Sequence, residues 1–421
     1  MRVIVQKFGG TSLATAQART HAIRHIQRAV AEKFHPVVVV SAMGRKGEPY
    51  ATDTLLSLAG EGGLAPLPSR EADLLMACGE IISAAVLCSE LIRAGTPAAV
   101  LTGGQAGIRT NDRFGHAHIL RIQPSRILQL LQDGKVVVVT GFQGMTEEGD
   151  FTTLGRGGSD TSAAALGAAL RAEVVDIFTD VSGILTADPR IVEDAKPLTR
   201  VTYAEIVNMA HYGAKVIHPR AAEIAMAANI PVRVRSTFDD GEGTLVASSP
   251  DTPEVVDRHV TGIAYSAGIT QLKVVAGEGA YDLHLNVFKA MARHGISVDF
   301  INVNPSAVVY TVFDRDADRA TAILRGMGYE PEVCGSCAKV SVIGGGMNGV
   351  PGIMASIVEA LTEEDIQILQ SADSNATIWV LVRSEDMANA VRVLHRKFEL
   401  HKNKAEDQTE SLTVRNKGAK E

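Results

Sequence analysis

Four stretches combine glycine with charge, three of them with hydroxyls as well, in patterns that can hold an anion. Lys7-Phe8-Gly9-Gly10-Thr11-Ser12 follows an apolar run and precedes a helical pattern. Glycines at such a turn leave backbone N–H groups open to a phosphate, the helix start adds its positive dipole, and Lys7 adds a full charge. The second stretch, TLGRGGSDTSAAALGAAL at 153–170, crowds Gly155, Arg156, Gly157 and Gly158 against an alanine-rich helix. Glycine weakens a helix that alanine favours. The expectation is therefore that a ligand approaches the backbone where this helix begins. Ser159 or Asp160 can cap it, and Arg156 offers a planar fork to a carboxylate or phosphate. In the third, FTDVSGILTADPR at 178–190, a strand runs into Thr179-Asp180 and then Asp188-Pro189-Arg190. The fourth, GAKVIHPRA at 213–221, brings Lys215 near another helix start. Each stretch alone also reads as ordinary turn chemistry; taken together they read as a nucleotide site.

Two further motifs point elsewhere. The G-x-x-x-x-G-K-[ST] loop does not occur, but Gly344-Gly345-Gly346-Met347-Asn348-Gly349 matches the dinucleotide pattern G-x-G-x-x-G. Its unit is too small for a full dinucleotide fold, and the only acidic candidate, Asp373, comes late. A loop that holds a small effector or merely packs closely is the better reading. Cys334-Gly335-Ser336-Cys337 has C-x-x-C spacing. It lacks the second pair or histidine set that tetrahedral zinc requires, and it lacks a redox setting. It reads as chance spacing, and no metal ligands are assigned. Cys78 and Cys88 sit in one apolar helical run and read as core.

The elements that must position these residues alternate. VIVQKF, PVVVVSAM, PAAVLT, KVVVVTGF, VVDIFTDV and PVRVRST read as strands. Helical patterns cover 15–33, 69–94, 159–171, 203–211 and 219–228. This rhythm predicts an α/β domain over 1–238, a mainly parallel sheet with helices on both faces. Such sheets bind ligands at the carboxyl ends of their strands. Residues 239–262 turn to Asp, Gly, Ser and Pro and read as a connection holding one short strand.

Beyond it the chain repeats itself at an offset of 70 residues. Phe288 falls on Val358, Ala290 on Ala360, Ile296 on Ile366, Tyr310 on Val380, Val312 on Val382 and Leu324 on Leu394. Each copy, 263–331 and 335–400, follows the ferredoxin-like βαββαβ pattern, less a last strand that is hard to place. A duplicated module behind an α/β domain points to sensing attached to catalysis, or to a repeat kept for assembly. The tail, 402–421, is charged and without periodicity and is expected to be disordered.

Composition sets outer limits. The chain has 421 residues, 46% of them hydrophobic and 5% aromatic, and a formal net charge of −7. With no dense basic block, nucleic acid or an acidic membrane is not the expected partner. The start, MRVIVQKFGG, is too short in apolar residues for a signal peptide, and no membrane span is read. Few cysteines fit a reduced, cytoplasmic setting.

In this order, KFGGTS, VVSAMGRKG, ACGE, GFQG, TLGRGGSDTSA, FTDVSGILTADPR and GAKVIHPRA resemble the aspartate kinases of the amino acid kinase superfamily. The duplicated module resembles their paired ACT domains, and the nearest resemblance is to the diaminopimelate-sensitive aspartokinases of bacilli. The likeness covers about residues 2–400, with no fused homoserine dehydrogenase portion expected. It implies that ATP and L-aspartate give 4-phospho-L-aspartate and ADP, with Mg²⁺ accompanying ATP. That reaction opens the route to lysine, diaminopimelate, threonine and methionine.

By the same resemblance Lys7, Gly9, Gly10 and Ser12 hold the phosphates, with Ser41 nearby and Lys215 as a second cation. Thr179, Asp180 and Arg190 contact the nucleotide. Leu185 stands where many relatives have tyrosine, which makes that contact apolar. Thr52 and Glu80 contact aspartate, with Glu80 pairing its ammonium. Arg156 grips the α-carboxylate, and Ser159 and Asp160 finish the pocket. Lys7, Asp160 and Lys215 are the expected catalytic set. An amino-acid effector, lysine or diaminopimelate foremost, is expected against Gly277–Asp282 and Val298–Asn302, with Asp299 and Asn302 as contacts. A homo-oligomer formed through the ACT modules is also implied. The competing readings are a catalytically silent amino-acid sensor and a sibling kinase with another carboxylate substrate.

Overall fold

The computed structural model describes residues 1–59, 67–211, 216–248, 259–275, 282–347 and 349–402. Contacts divide the chain into two units: Met1–Ile184 with Pro197–Val255, and Leu185–Lys196 with Val256–Glu421.

The first unit runs β1 (Val3–Phe8), α1 (Gly10–Leu13), α2 (Ala16–Ala31), β2 (His35–Val40), α3 (Thr52–Ser57), α4 (Ser69–Arg93), β3 (Ala98–Leu101), β4 (Ile108–Thr110) and β5 (Ile119–Ile122). It continues with α5 (Ser125–Gln132), β6 (Val136–Thr140), β7 (Gln143–Met145), β8 (Phe151–Thr153), α6 (Gly158–Leu170) and β9 (Val174–Thr179). After the excursion at 185–196 come β10 (Arg200–Thr202), α7 (Tyr203–His211), α8 (Pro219–Ala228), β11 (Val232–Ser236) and β12 (Thr244–Ala247).

Eight of these strands form one sheet in the order β10-β12-β11-β9-β1-β2-β6-β3. Every pairing from β11 to β3 is parallel. The cause is visible in the valine runs. Val37–Val40 and Val137–Val139 are wholly buried, as strands covered by helices on both faces must be. Each such side chain contributes roughly 1.5–3 kcal/mol through burial. The register aligns strand ends: Phe8 with Val40 and Phe178, Val40 with Thr140, and Thr179 with Ser236. The residues that follow, Gly9, Ser41, Gly141, Asp180 and Thr237, therefore emerge at one carboxyl edge.

By length and composition α4 could cross a membrane. Here it is a core helix whose inner face buries Asp73, Ala77, Glu80, Ala84 and Leu87. A second sheet, β5-β4-β7-β8, had no counterpart in the sequence reading. Two boundaries differ from expectation. Thr244–Ala247, placed in a connection at 239–262, pairs antiparallel with β11 and parallel with β10, so it belongs to the first unit's sheet. Conversely, residues 185–196 leave the first unit, because Ala187 and Val192 pack into the core of the second.

The second unit comprises β13 (Gly262–Val275), α9 (Leu283–Arg293), β14 (Asp299–Asn304), β15 (Ala307–Phe313), α10 (Asp314–Gly326), β16 (Glu332–Ile343), α11 (Ile353–Thr362), β17 (Gln370–Ser374), β18 (Thr377–Arg383) and α12 (Met387–Lys397). Its six-stranded sheet runs β14-β15-β13-β16-β18-β17. The last strand of each copy is found here. Residues 332–337 of β16 pair with 269–273 of β13 and close the first copy, whereas 262–267 of β13 pair with 338–343 of β16 and close the second. The offset of 70 is a core repeat: Tyr310 and Val380, Val312 and Val382, Ala320 and Ala390, and Leu324 and Leu394 are all buried. Gly344 follows the close-packing reading, since a Cβ there would lie 1.9 Å from the His259 carbonyl oxygen. Cys334 and Cys337 are free thiols whose sulfurs stand 3.6 Å apart. The tail from 403 onward lies outside the described residues.

Candidate active site

The carboxyl edge of the first unit is organised around one ion pair. Lys7, next to last in β1, places Nζ 2.7 Å from Asp160 Oδ1, with the side chains only 13% and 12% exposed. Asp160 lies in the first turn of α6, where the helix dipole favours an anion. Its Oδ2 accepts from the His218 N–H at 3.2 Å, so the start of α8 is tied to the same carboxylate.

Glycine is required at two points of this edge. At Gly10 a Cβ would stand 2.6 Å from the Gly44 carbonyl oxygen and 2.8 Å from that of Ala42. The Gly44 N–H donates to the Gly10 carbonyl at 3.1 Å, so the turns after β1 and β2 dock backbone to backbone. Gly157, at the start of α6, has φ +66°, and a Cβ there would fall 2.1 Å from His218 Cγ. At Gly157 the group that crowds the backbone is the protein's own His218, and left-handed geometry adds a second reason for glycine. Arg156, two residues earlier in the sequence than Gly158, is exposed.

Ser12 Oγ sits 2.6 Å from Thr237 Oγ1 in a buried hydroxyl pair, which joins the turn after β1 to the end of β11. The Ser41 N–H donates to the Phe8 carbonyl at 3.1 Å. At the end of β9, Thr179 Oγ1 donates to Asp180 Oδ1 at 3.2 Å, and Arg45 reaches Asp180 Oδ2 at 2.7 Å. Ser159 is buried in the first turn of α6. Thr52, half-buried, opens α3.

Glu80 is 2% exposed. Its Oε1 accepts from the Ala42 N–H at 2.9 Å, while Oε2 is buried without a hydrogen-bond partner. Burial pushes its carboxyl up to about 8, with the Ala42 amide opposing. A buried carboxylate oxygen without a donor is costly, and a ligand cation would relieve that cost.

Sequence reasoning missed Asp73, which lies two turns before Glu80 on the same face of α4. Its buried carboxylate accepts from the Gly115 N–H at 2.9 Å, from the Thr153 N–H at 2.7 Å and from Thr153 Oγ1 at 2.8 Å. It thereby fixes the end of β8, from which the Arg156 loop departs. Arg220 supports the same loop by donating to the Leu154 carbonyl at 3.1 Å and the Ala117 carbonyl at 3.2 Å. The only available signal was the seven-residue spacing of two acids in an apolar helix.

Two of the expected nucleotide contacts fall in the 185–196 segment. Leu185 and Arg190 belong to the second unit. Arg190 grips Asp188 through Nε at 3.0 Å and a terminal nitrogen at 2.7 Å. That pairing holds the Asp188 carboxyl below its usual range, and Tyr265 Oη donates to it at 3.1 Å. Lys215 and Gly277–Tyr281 lie outside the described residues. In the second unit Asp299 pairs with the buried Lys339 ammonium, and Asn302 is exposed on β14. Phe300 between them adopts φ +51°.

A mostly parallel open sheet with glycine turns at its carboxyl edge is an architecture that binds ligands at that edge. The amino acid kinase family matches residues 2–236, and an ACT domain matches residues 332–396. Aspartokinase 1 of Bacillus subtilis is 56% identical over 405 residues, 96% of this chain and 100% of that protein. Among solved structures, E. coli aspartokinase III in complex with aspartate and ADP (R-state) is similar at a TM-score of 0.78 and 28% identity, covering 94% of this chain and 99% of that one. The same enzyme with lysine and aspartate (T-state) gives a TM-score of 0.74 over the same shares. The chain belongs to the amino acid kinase family, on its aspartokinase branch.

Proposed function

We propose that the first unit transfers the γ-phosphoryl group of ATP to the side-chain carboxylate of L-aspartate, giving 4-phospho-L-aspartate and ADP. A carboxylate with a pKa near 4 is already ionised at neutral pH, so no general base is needed. The barrier lies in bringing an anionic nucleophile onto an anionic triphosphate, and positioning with charge neutralisation lowers it. Lys7 and the glycine turn at Gly9-Gly10 face the transferred phosphate. Asp160 holds the Lys7 ammonium at the strand ends and keeps it from swinging into solvent. Lys215 serves as the second cation. Arg156 takes the α-carboxylate of aspartate, with Thr52 and Ser159 beside it. Thr179 and Asp180 contact the nucleotide, while Arg190 must release Asp188 before it can do so.

A divalent metal accompanies the nucleotide. At this edge Asp160 is held by Lys7 and Asp180 by Arg45, and no cluster of three ligand groups stands there among the described residues. This donor set fits Mg²⁺ that arrives on ATP and keeps phosphate and water ligands. Bound there, Mg²⁺ would offset phosphate charge.

The observation that carries an amino-acid substrate is Glu80, a buried carboxyl group with one oxygen satisfied by Ala42 and the other without a protein partner, which a substrate ammonium would ionise and pair. ADP release measured with L-aspartate, L-glutamate and uridylate tests the reading. Turnover with aspartate alone is expected; turnover with either other acceptor and none with aspartate would assign the chain to a sibling activity.

The second unit is the regulatory part. Lysine in the T-state relative supports an amino-acid inhibitor, lysine or diaminopimelate, whose amine competes with Lys339 for Asp299 while Asn302 lies on the same strand. Assembly through the ACT modules and a cytoplasmic location complete the proposal.

A further inference from the structure

Outside the kinase machinery, three ligand-type side chains meet within the second unit. Asp194 lies on the 185–196 segment, His395 on the last turn of α12, and His401 just beyond it. One ligand atom from each lies within 4.8 Å of the other two. His395 is 1% exposed, Asp194 is exposed and His401 is half-buried, so the group is closed on one side and open to solvent on the other.

One ring nitrogen of His395 is held by a hydrogen bond to a threonine hydroxyl. Its Nε2 stands 2.9 Å from Thr186 Oγ1, which in turn accepts the Lys196 N–H at 3.0 Å. With Nε2–H donating to Thr186, the imidazole keeps a lone pair on Nδ1. A hydrogen bond at the far ring nitrogen is what orients metal-binding histidines and fixes their tautomer. The basic last turn of α12 supplies a simpler reason for Arg396 and Lys397, which complement the helix dipole. It does not account for a buried histidine with a second imidazole and a carboxylate opposite.

We propose that Asp194, His395 and His401 bind one divalent transition-metal ion, Zn²⁺ foremost, separate from the magnesium that accompanies the nucleotide. Two imidazoles and one carboxylate suit Zn²⁺, Co²⁺ or Ni²⁺ rather than Mg²⁺ or Ca²⁺, and three protein ligands leave a fourth position for water. Ligands at about 2.0–2.1 Å from a tetrahedral ion stand roughly 3.4 Å apart. The exposed Asp194 and half-exposed His401 have the freedom to close that difference. The ion would pin the 185–196 segment to the end of α12, beside the core that Ala187 and Val192 already enter.

The test uses the full-length chain stripped with chelator and titrated with Zn²⁺ by calorimetry, and with Co²⁺ by absorption. One ion per chain is expected. Asp194→Ala and His401→Ala alter residues at the surface and should each weaken binding at least about tenfold. A Cys334→Ser/Cys337→Ser variant should bind as the parent does, and the Co²⁺ spectrum should show d–d bands without thiolate charge transfer. No stoichiometric binding, binding indifferent to both Asp194→Ala and His401→Ala, or binding lost with the cysteine variant would each overturn the proposal.

Discussion

Lys7 Nζ and Asp160 Oδ1 stand 2.7 Å apart, joining the end of the central strand to the first turn of α6. The pair is largely shielded, so removing either partner leaves the other charged group poorly solvated. The arrangement also aims the ammonium: a lysine at a strand end has many rotamers, and the carboxylate selects one.

Lys7→Met should lower kcat by about 10²–10³, the scale seen when one preorganised charge-stabilising donor is removed. Effector binding to the second unit should persist, as read by calorimetry with the inhibitory amino acid. Unchanged kcat would remove Lys7 from the phosphoryl-transfer step.

Glu80 makes a pH-dependent prediction. The folded protein holds its proton up to about pH 8, whereas a free glutamic acid releases it near 4.5. Between those values the folded state binds more protons, so this residue's contribution to stability falls as pH rises from 4.5 to 8 and then levels off. A substrate ammonium favours the ionised form. Aspartate binding should therefore release a proton below pH 8, and affinity should rise with pH, by as much as about tenfold per unit, before it flattens. Calorimetry in buffers of different ionisation heat counts that proton. Glu80→Gln should abolish the release and raise KM for aspartate, and a parent protein that releases none would count against the ammonium contact.

Gly157→Ala should destabilise the first unit by about 2–4 kcal/mol, from left-handed strain and the clash with His218. The expected fall in Tm is roughly 5–15 °C. Adding His218→Gly, which also removes the His218 Cβ that would stand 2.3 Å away, should recover the part due to the clash. A neutral Gly157→Ala would show that the turn relaxes freely.

Asp299→Ala should desensitise the enzyme, raising the inhibitor concentration for half effect by about tenfold or more, while kcat without inhibitor stays near the parent value. Lysine, threonine and meso-diaminopimelate assayed as a panel identify the effector. Inhibition that survives the substitution would move the amine contact away from Asp299.

The long strands and helices of the first unit were legible because burial on both faces writes unbroken valine runs, and helices write their own period. β4, β7 and β8 are three residues each and too short to carry alternation, so that sheet was invisible. The Gly155–Gly158 cluster was legible as a constraint, but its cause at Gly157 is His218, a residue 61 positions away in the numbering. Asp73 was hidden because a lone acid in a helix usually faces water; only the folded partners at Gly115 and Thr153 reveal it. The burial of Ala187 and Val192 in the second unit's core was hidden because their segment lies inside a motif rich in turn residues.

The exchange of closing strands between the two regulatory copies makes them inseparable. Residues 262–267 open the region yet finish its second half, so the first module is enclosed by the second, as one bracket is by another. Proteolysis between 326 and 332 would part α10 from the strand that completes its own module, and trimming before 268 would unseat a module whose remaining sequence begins some seventy residues later. β13 and β16 each serve both halves, so a shift of either strand is felt on both sides of the region.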